Sequence, residues 1–498
     1  MSSFNQSLRT PVRSASYLLA LGMNAASAGF TQILGFLRSL ILARLLAPED
    51  YGIFGMAFVV TSAVQVLVNF NMTSNVIRRK FQSDSEMIAY LNTTWTVELI
   101  RQALVSLLLL LLSYPASVYF HNSRVFPVLA FCSLTPLLTG FTNVGLVLLR
   151  KEINFKNVVL HRQTSEILMS VLAILFALVT RNVWALAISQ VLGALLSALL
   201  SYKFHPYRPT FVVDREVLRE SFSFSSHLFL VSIFTYVTTQ FDNLAVGRYL
   251  GASVVGAYML AYKLANLPCE TITDVLSPVL FPVYSRIRHE APETLLNTSE
   301  VAFVSATAAI VALTVPLRFS SEWLIRLVYG RNWVAAAPML SILVFVGILR
   351  GMARSMAPLF LSLERPAVES LSKAVEGILF IALTLSLVPR YQTTGAALAG
   401  IISYSIAVGL RVIATVQINA RYALRLVLQT GVTCIAAAFA YSVAMSLRAF
   451  GAHEFLVLIG FEVVFVPLFL ALVPSARQKL FGLIRRAVRK YDGVGVTA

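Results

Sequence analysis

The stretch ARLLAPEDYGIFGMA at residues 43–57 returns, without a gap, as GRYLGASVVGAYMLA at residues 247–261. Arg44 falls on Arg248, Leu46 on Leu250, Gly52 on Gly256, Phe54 on Tyr258 and Ala57 on Ala261, an offset of 204. Further along, FPVLAFCSL (126–134) falls on APMLSILVF (337–345), which places Pro127 on Pro338, and Glu166 falls on Glu376. A nearly constant offset at three separated places makes the chain an internal duplication. In each copy of the first motif a helix stops, the chain turns and a second helix opens. In the first copy Pro48 is expected to stop the helix and Gly52 to open the next, so a tight hairpin is the structural use of this motif.

Working outward from the motif, apolar segments tile the chain. Of its 498 residues 57% are apolar and 13% charged. A bilayer core about 30 Å thick needs about 20 apolar residues per helix. Fourteen stretches approach that length: 16–42, 51–72, 88–112, 125–149, 165–180, 182–204, 222–246, 252–280, 299–319, 335–361, 371–388, 394–416, 426–447 and 454–473. The fifth is short. The fold class expected is an all-α polytopic membrane protein of about 14 transmembrane helices. The repeat spans six helices, an even number, so the two copies run parallel rather than inverted. The layout is an N-terminal lobe at 1–204, a linker at 205–221, a C-terminal lobe at 222–420, two further helices within 421–473 and a basic tail at 474–498.

The Lys/Arg bias sets an orientation. Clusters such as Arg78–Arg79–Lys80, Arg150–Lys151 and Arg421/Arg425 fall on one side, and single residues such as Arg44, Arg124, Arg248 and Arg448 on the other. This predicts both termini inside. The same bias accounts for the formal net charge of +17 and argues against nucleic acid as partner, because the charges sit at helix ends facing anionic lipid. The tail RQKLFGLIRRAVRK has amphipathic spacing suited to a membrane surface. No cleavable signal peptide is expected after Arg9 and Arg13. The cysteines Cys132, Cys269 and Cys434 are isolated, and the six histidines lack metal-ligand spacing, so no metal, cofactor or disulfide framework is expected.

Four stretches, LILARLLAPEDYGIFGMA (40–57), DNLAVGRYLGASVVGAYMLAYKLANLP (242–268), VLFPVYSRI (279–287) and YGRNWVAAAPMLSIL (329–343), resemble the Wzx-type polysaccharide transporter family. That family shares a superfamily with multidrug and toxin extrusion transporters and the lipid II flippase. The resemblance covers about residues 15–420 and is nearest to the exopolysaccharide branch. It implies two six-helix lobes around a cavity that opens alternately to each side. It also implies an undecaprenyl-pyrophosphate-linked oligosaccharide repeat unit as cargo, moved from the cytoplasmic to the periplasmic face of a bacterial inner membrane. A polysaccharide polymerase and a chain-length regulator are implied as partners. The chain departs from the usual pattern at 270–274, where Glu270 and Asp274 add two acids and leave the coupling ion open.

Ionisable residues inside spans are costly, so they mark cavities or internal pairs. Glu98–Arg101 and Lys373–Glu376 stand three apart and read as local pairs. Arg411 near a helix end reads as snorkelling. Arg350 and Arg354 lie four apart with no acid nearby in sequence, as a site for a pyrophosphate or as a snorkelling face. The repeat maps Arg38 onto Asp242, and a pair that makes and breaks across the cavity would couple substrate binding to lobe motion, unless each charge pairs within its own lobe. Lys263 stands ahead of Pro268, Glu270, Asp274, Pro278 and Pro282, where two acids beside kinked backbone could hold a proton or Na⁺. The candidate cavity charges are therefore Arg38, Asp242, Lys263, Arg350, Arg354 and Lys373, with Glu270 and Asp274 for ion coupling. Trp95, Tyr236, Tyr258, Tyr262 and Tyr404 are aromatics that core or interface placement explains as well as sugar stacking.

Among functions, an enzyme is disfavoured. There is no phosphate-binding Gly-rich loop, and a membrane polysaccharide polymerase would need a large outside loop that the spacing does not leave. A multidrug/cation antiporter shares the expected fold but calls for unpaired acids rather than unpaired arginines. The reading is a flippase working by alternating access.

Overall fold

The computed structural model describes residues 14–68, 76, 79, 81–151, 155–290 and 292–473. The basic tail 474–498, with Arg9, Arg13, Arg78 and Lys80, lies outside the described residues. The described chain is helical. In order it forms α1 (Ser14–Leu45), α2 (Pro48–Leu67), α3 (Asp84–Tyr119), α4 (Val125–Cys132), α5 (Leu134–Gly140), α6 (Leu146–Lys151), α7 (Phe155–Thr180) and α8 (Trp184–Phe204). There follow α9 (Arg215–Leu250), α10 (Ala252–Glu290), α11 (Pro292–Phe319), α12 (Ser321–Val328), α13 (Ala336–Ser362), α14 (Pro366–Ile418), α15 (Ala420–Ala449) and α16 (Glu454–Leu472).

Nine of these are long and apolar enough to cross a membrane by length and composition. One of the nine, the 53-residue α14, is two spans in succession, because Gln392 (φ 53°, ψ −135°) reverses the chain inside it. Gly395 lets the two arms close: a Cβ there would meet the Leu387 carbonyl oxygen at 2.3 Å. The long α1, α9 and α10 and the broken pair α4–α5 complete a set of fourteen segments among the described residues.

Local signals set several ends. Pro48 opens α2 at its first turn, where a missing N–H costs nothing, and Glu49 and Asp50 face the positive end of the helix dipole. Ser83 caps α3 by accepting from Glu86 N, while Glu86 Oε2 accepts from Gln82 N. Two expected spans change. The fifth is not short: α7 starts at Phe155, since its polar first turns are satisfied inside the protein, with His161 bonded to Ser197 O and Gln163 to Ser27 O. The fourth does not run to 149; the helix stops at Gly140 and resumes as the short α6.

The chain packs as two compact units. One takes the described residues up to Met259 with Val328–Asn332; the other takes Leu260–Leu327 and the residues from Trp333 on. In the first, α1 lies on α7, α7 on α8, and α2 on α9 and α4. Leu42, Leu46, Ala173, Ala177, Ala185 and Leu186 fill one of its cores. The two repeated hairpins meet there reciprocally. A Cβ on Gly52 would meet Ala252 O at 1.7 Å, and a Cβ on Gly256 would meet Pro48 O at 2.0 Å. Pro48 and Ala252 are themselves equivalent in the repeat, so the contact is a pseudo-twofold one. Tyr236 donates to Val59 O and Arg248 to Tyr119 O around the same elements.

The segment His205–Asp214 is extended and stitched to α3. Thr210 N donates to Asn92 Oδ1, Val212 N to Thr96 Oγ1 and Asp214 N to Thr93 Oγ1, each within 3.2 Å. Tyr207 Oη bonds Asn92 as well, and Asn143 Nδ2 holds the carbonyls of His205 and Tyr207. These bonds explain why a polar run, NTTWT (92–96), is buried in a membrane-length helix.

In the second unit α13 packs on α11 and α14, and α15 and α16 pack on each other and on α11. Phe461, Phe465 and Phe469 of α16 stack at four-residue spacing, ring centroids 5.5 and 6.1 Å apart.

Candidate substrate site

The charged residues of α10 and α13 form a ladder inside the second unit. On α10, Tyr262, Asn266, Glu270 and Asp274 recur every four residues and so share one face. On α13, Arg350 and Arg354 share a face for the same reason. Arg350 Nη1 donates to Tyr262 Oη and Asn266 Oδ1, both at 3.2 Å, and lies 3.6 Å from Glu270 Oε1. Arg354 Nη2 donates to Asp274 Oδ1 at 2.6 Å.

Small residues bring the two helices together. Gly347 lies so close to α10 that a Cβ would meet Ala265 O at 2.3 Å, and a Cβ on Gly351 would meet Ile310 Cδ1 at 2.5 Å and Cys269 Sγ at 3.4 Å. The segment GILRGMAR (347–354) thus interleaves a glycine pair for close packing with an arginine pair for charge. The Arg350 side chain is 14% exposed and that of Arg354 34%, against 40% for Glu270 and 58% for Asp274. The acids stand on the open side of the arginines. The sequence places no acid near Arg350 and Arg354; the structure supplies both from a helix eighty residues away, which no local pattern reveals.

A third basic group stands on α14. Lys373 Nζ donates to Glu376 Oε1 at 2.8 Å, and its ammonium lies 5.8 Å from the Tyr404 ring centroid. The Glu376 side chain is fully buried, and its Oε2 has no hydrogen-bond partner among the described residues. Tyr404 is also an electrostatic neighbour of Arg350, so Tyr404 relates two of the three basic groups. Lys263 lies exposed on α10, one residue from Tyr262. Arg411 does not snorkel: it is wholly buried and held by both oxygens of Glu369, at 2.6 and 3.0 Å. The acid that requires this burial is 42 residues away.

Arg38 and Asp242 stand in the first unit. Arg38 Nη1 lies 3.0 Å from Glu166 Oε1 and 3.4 Å from Ser170 Oγ. Asp242 accepts from Tyr258 Oη at 2.8 Å and from Asn243 N at 2.9 Å. Glu98 and Arg101 pair locally, as their spacing predicts. Trp95, Tyr258 and Tyr404 are core residues, Trp95 packing edge-on against Phe211. Asn266 is the site residue that sequence reading passed over; its place between Tyr262 and Glu270 at four-residue intervals was the available signal.

Membrane-length helices, a duplicated hairpin and ionic groups held between helices define a multi-pass membrane protein of transporter type. The profile of the polysaccharide biosynthesis protein family matches residues 41–338, and the chain belongs to that family. It is 25% identical over 354 residues, 70% of either chain, to lipopolysaccharide biosynthesis protein WzxC of Escherichia coli K12. It is 26% identical over 328 residues, 65% of this chain and 64% of the relative, to succinoglycan biosynthesis transport protein ExoT of Rhizobium meliloti. Among solved structures, lipid II flippase MurJ in an inward closed conformation matches 92% of this chain and 99% of its own at a TM-score of 0.71 and 15% identity. An inward-facing MATE multidrug resistance transporter of the MOP superfamily matches 77% of this chain and 94% of its own at a TM-score of 0.60, also at 15% identity. Such identities establish the shared fold.

Proposed function

We propose that this protein carries an undecaprenyl-pyrophosphate-linked oligosaccharide repeat unit from the cytoplasmic to the periplasmic face of the bacterial inner membrane, by alternating access and with both termini inside. The family, the relatives' polysaccharide roles and the flippase fold support the reading. The observation that carries it is the Arg350–Arg354 pair, facing two carboxylates that stand more exposed than the guanidiniums they neutralise.

Two like charges one turn apart repel unless an anion lies against them. In this structure Glu270 and Asp274 are that anion. The Arg354–Asp274 pair is part-exposed, and such pairs contribute only about 0.2–1 kcal/mol, so an incoming pyrophosphate exchanges these carboxylate–guanidinium bonds for its own at little net cost. It also gains bidentate geometry, which arginine fits and lysine does not. The displaced carboxylates then stand beside a multiply charged anion, which leaves an excess of negative charge there. Binding of the pyrophosphate thereby invites a proton or Na⁺ onto Glu270 and Asp274 and ties transport to an ion. Lys263 and Lys373 add positive charge along the same helices. Arg38, held here by Glu166, meets Asp242 in the other half of the cycle; double reversal by Arg38→Asp with Asp242→Arg that recovers no transport over the single changes contradicts this step.

The cation-antiporter reading needs carboxylates free to take a cation, and the acids of the ladder are committed to arginines. A polymerase and a chain-length regulator act downstream in the proposed route. The test is a deletion strain. Complete lipid-linked repeat units are expected to accumulate on the cytoplasmic face; units that reach the periplasmic face unpolymerised contradict the reading, as does normal glycan with altered drug sensitivity.

A further inference from the structure

A second basic site lies in the same unit, away from the ladder. At one end of the bundle the opening turns of α11 and α15 enclose a cavity of about 520 Å³, lined by Leu296, Asn297, Asn419, Arg421, Leu424 and Arg425. Its polar atoms share one character. Asn297 Oδ1 accepts from Arg425 Nη2 at 3.1 Å, and Asn419 Oδ1 accepts from Tyr422 N at 3.0 Å. Each amide oxygen is thus turned toward a protein donor, and the NH₂ group of each asparagine is what it offers to a further acceptor.

Arg425 is anchored from behind by Glu300, whose buried carboxylate lies 3.2 Å from Arg425 Nε and is itself held by Gln429. That anchor fixes one edge of the guanidinium and leaves N–H donors on the other. Arg421, one turn earlier on the same face of α15, has no ion pair or hydrogen bond with any described residue. The cavity thus presents two guanidiniums and two amide NH₂ groups, and each of the two amide oxygens already accepts a hydrogen bond. Leu296 and Leu424 supply an apolar wall beside these donors.

A set of converging donors with net positive charge is built for an oxyanion. An apolar wall next to it, at a helix end where a bilayer meets water, suits an anion that carries a hydrocarbon stem. We propose that this cavity binds the phosphate of an anionic phospholipid head group, as a site separate from the arginine ladder and independent of transport. Arg421 and Arg425 grip the phosphate, Asn297 and Asn419 complete its hydrogen bonds, and the leucines receive the glycerol and the upper acyl chain.

The experiment is thermal unfolding of the purified, delipidated full chain in detergent, titrated with phosphatidylglycerol, with phosphatidylcholine, whose phosphate brings its own cation, and with inorganic phosphate. Phosphatidylglycerol is expected to raise Tm, phosphatidylcholine to do so weakly, and Arg421→Ala to raise the half-saturating concentration about tenfold. Arg421 has no partner to lose among the described residues, so that variant tests the site without unfolding it. Arg425→Lys, which keeps a charge beside Glu300, is expected to weaken protection in the same direction. Full protection by inorganic phosphate alone, sensitive to Arg421→Ala, upholds the anion site and overturns its assignment to lipid. Equal protection of wild type and Arg421→Ala, or no protection of either, overturns the proposal.

Discussion

Gly52 and Gly256 hold the same place in two copies of one hairpin, and each is closed off by the other copy. The backbone carbonyl of Ala252 fills the space where a Gly52 Cβ would sit, and that of Pro48 fills the space at Gly256. The duplication is thus more than a pattern: its two halves meet at their equivalent residues, and the smallness of both glycines permits the contact.

Gly52→Ala or Gly256→Ala forces two backbones apart. Overpacking of this kind costs about 1–3 kcal/mol, and the purified protein is expected to melt several degrees lower. Gly409→Ala is the control, because a Cβ there meets nothing within 4 Å; helix propensity alone makes it neutral or stabilising. Equal melting of Gly52→Ala and Gly409→Ala contradicts the packing.

Lys373 and Glu376 are an asymmetric pair, the lysine 25% exposed and the glutamate wholly buried. Lys373→Ala strands a buried carboxylate, a loss of about 3–5 kcal/mol. The double change Lys373→Ala with Glu376→Ala removes the stranded charge and is expected to recover most of that stability. Chemical denaturation in detergent measures both; a double variant no better than the single one counts against direct pairing.

Arg38 and Glu166 join α1 to α7 at 3.0 Å. Either single reversal, Arg38→Glu or Glu166→Arg, is expected to lower the yield of folded protein, and the two together to restore it. Size-exclusion profiles report the outcome, with unrestored yield the adverse one.

His205 starts the extended segment stitched to α3, and its Nδ1 accepts from Tyr207 N. Burial, then the nearby Arg208 charge, hold its imidazole below the ordinary value of 6.5. The unfolded segment therefore takes up a proton before the folded one does. The contribution of this contact is full above the unfolded value and falls away as pH drops below it toward the folded value. Amide exchange at Thr210, Val212 and Asp214, corrected for intrinsic rates, is expected to quicken between about pH 7.5 and about pH 5.5. His205→Gln is expected to flatten that dependence, and an unchanged dependence contradicts the assignment.

The duplicated hairpin, the helical class and the local pairs Glu98–Arg101 and Lys373–Glu376 were legible because their signals lie within a few residues or repeat at a fixed offset. The ladder was half legible. Arg350, Arg354, Glu270 and Asp274 each stood out as charges inside spans, yet their pairing depends on how α10 and α13 are set against each other, which Gly347 and Ala265 decide at close range. Arg411 misled for the same reason, its partner Glu369 lying on the other arm of α14. The docking of 205–214 onto α3 was illegible, because side-chain bonding to an extended backbone leaves no period in the sequence.

The central claim is that Arg350 and Arg354 take the pyrophosphate in exchange for their bonds to Glu270 and Asp274. The most direct measurement is the amount of lipid-linked repeat unit left on the cytoplasmic face of a deletion strain complemented with each variant at matched expression. Arg350→Ala/Arg354→Ala is expected to leave the units trapped as in the deletion, while Glu270→Gln, which keeps a neutral hydrogen-bonding group beside Arg350, retains capture. An Arg350→Ala/Arg354→Ala protein that clears the cytoplasmic face as fast as wild type contradicts the account.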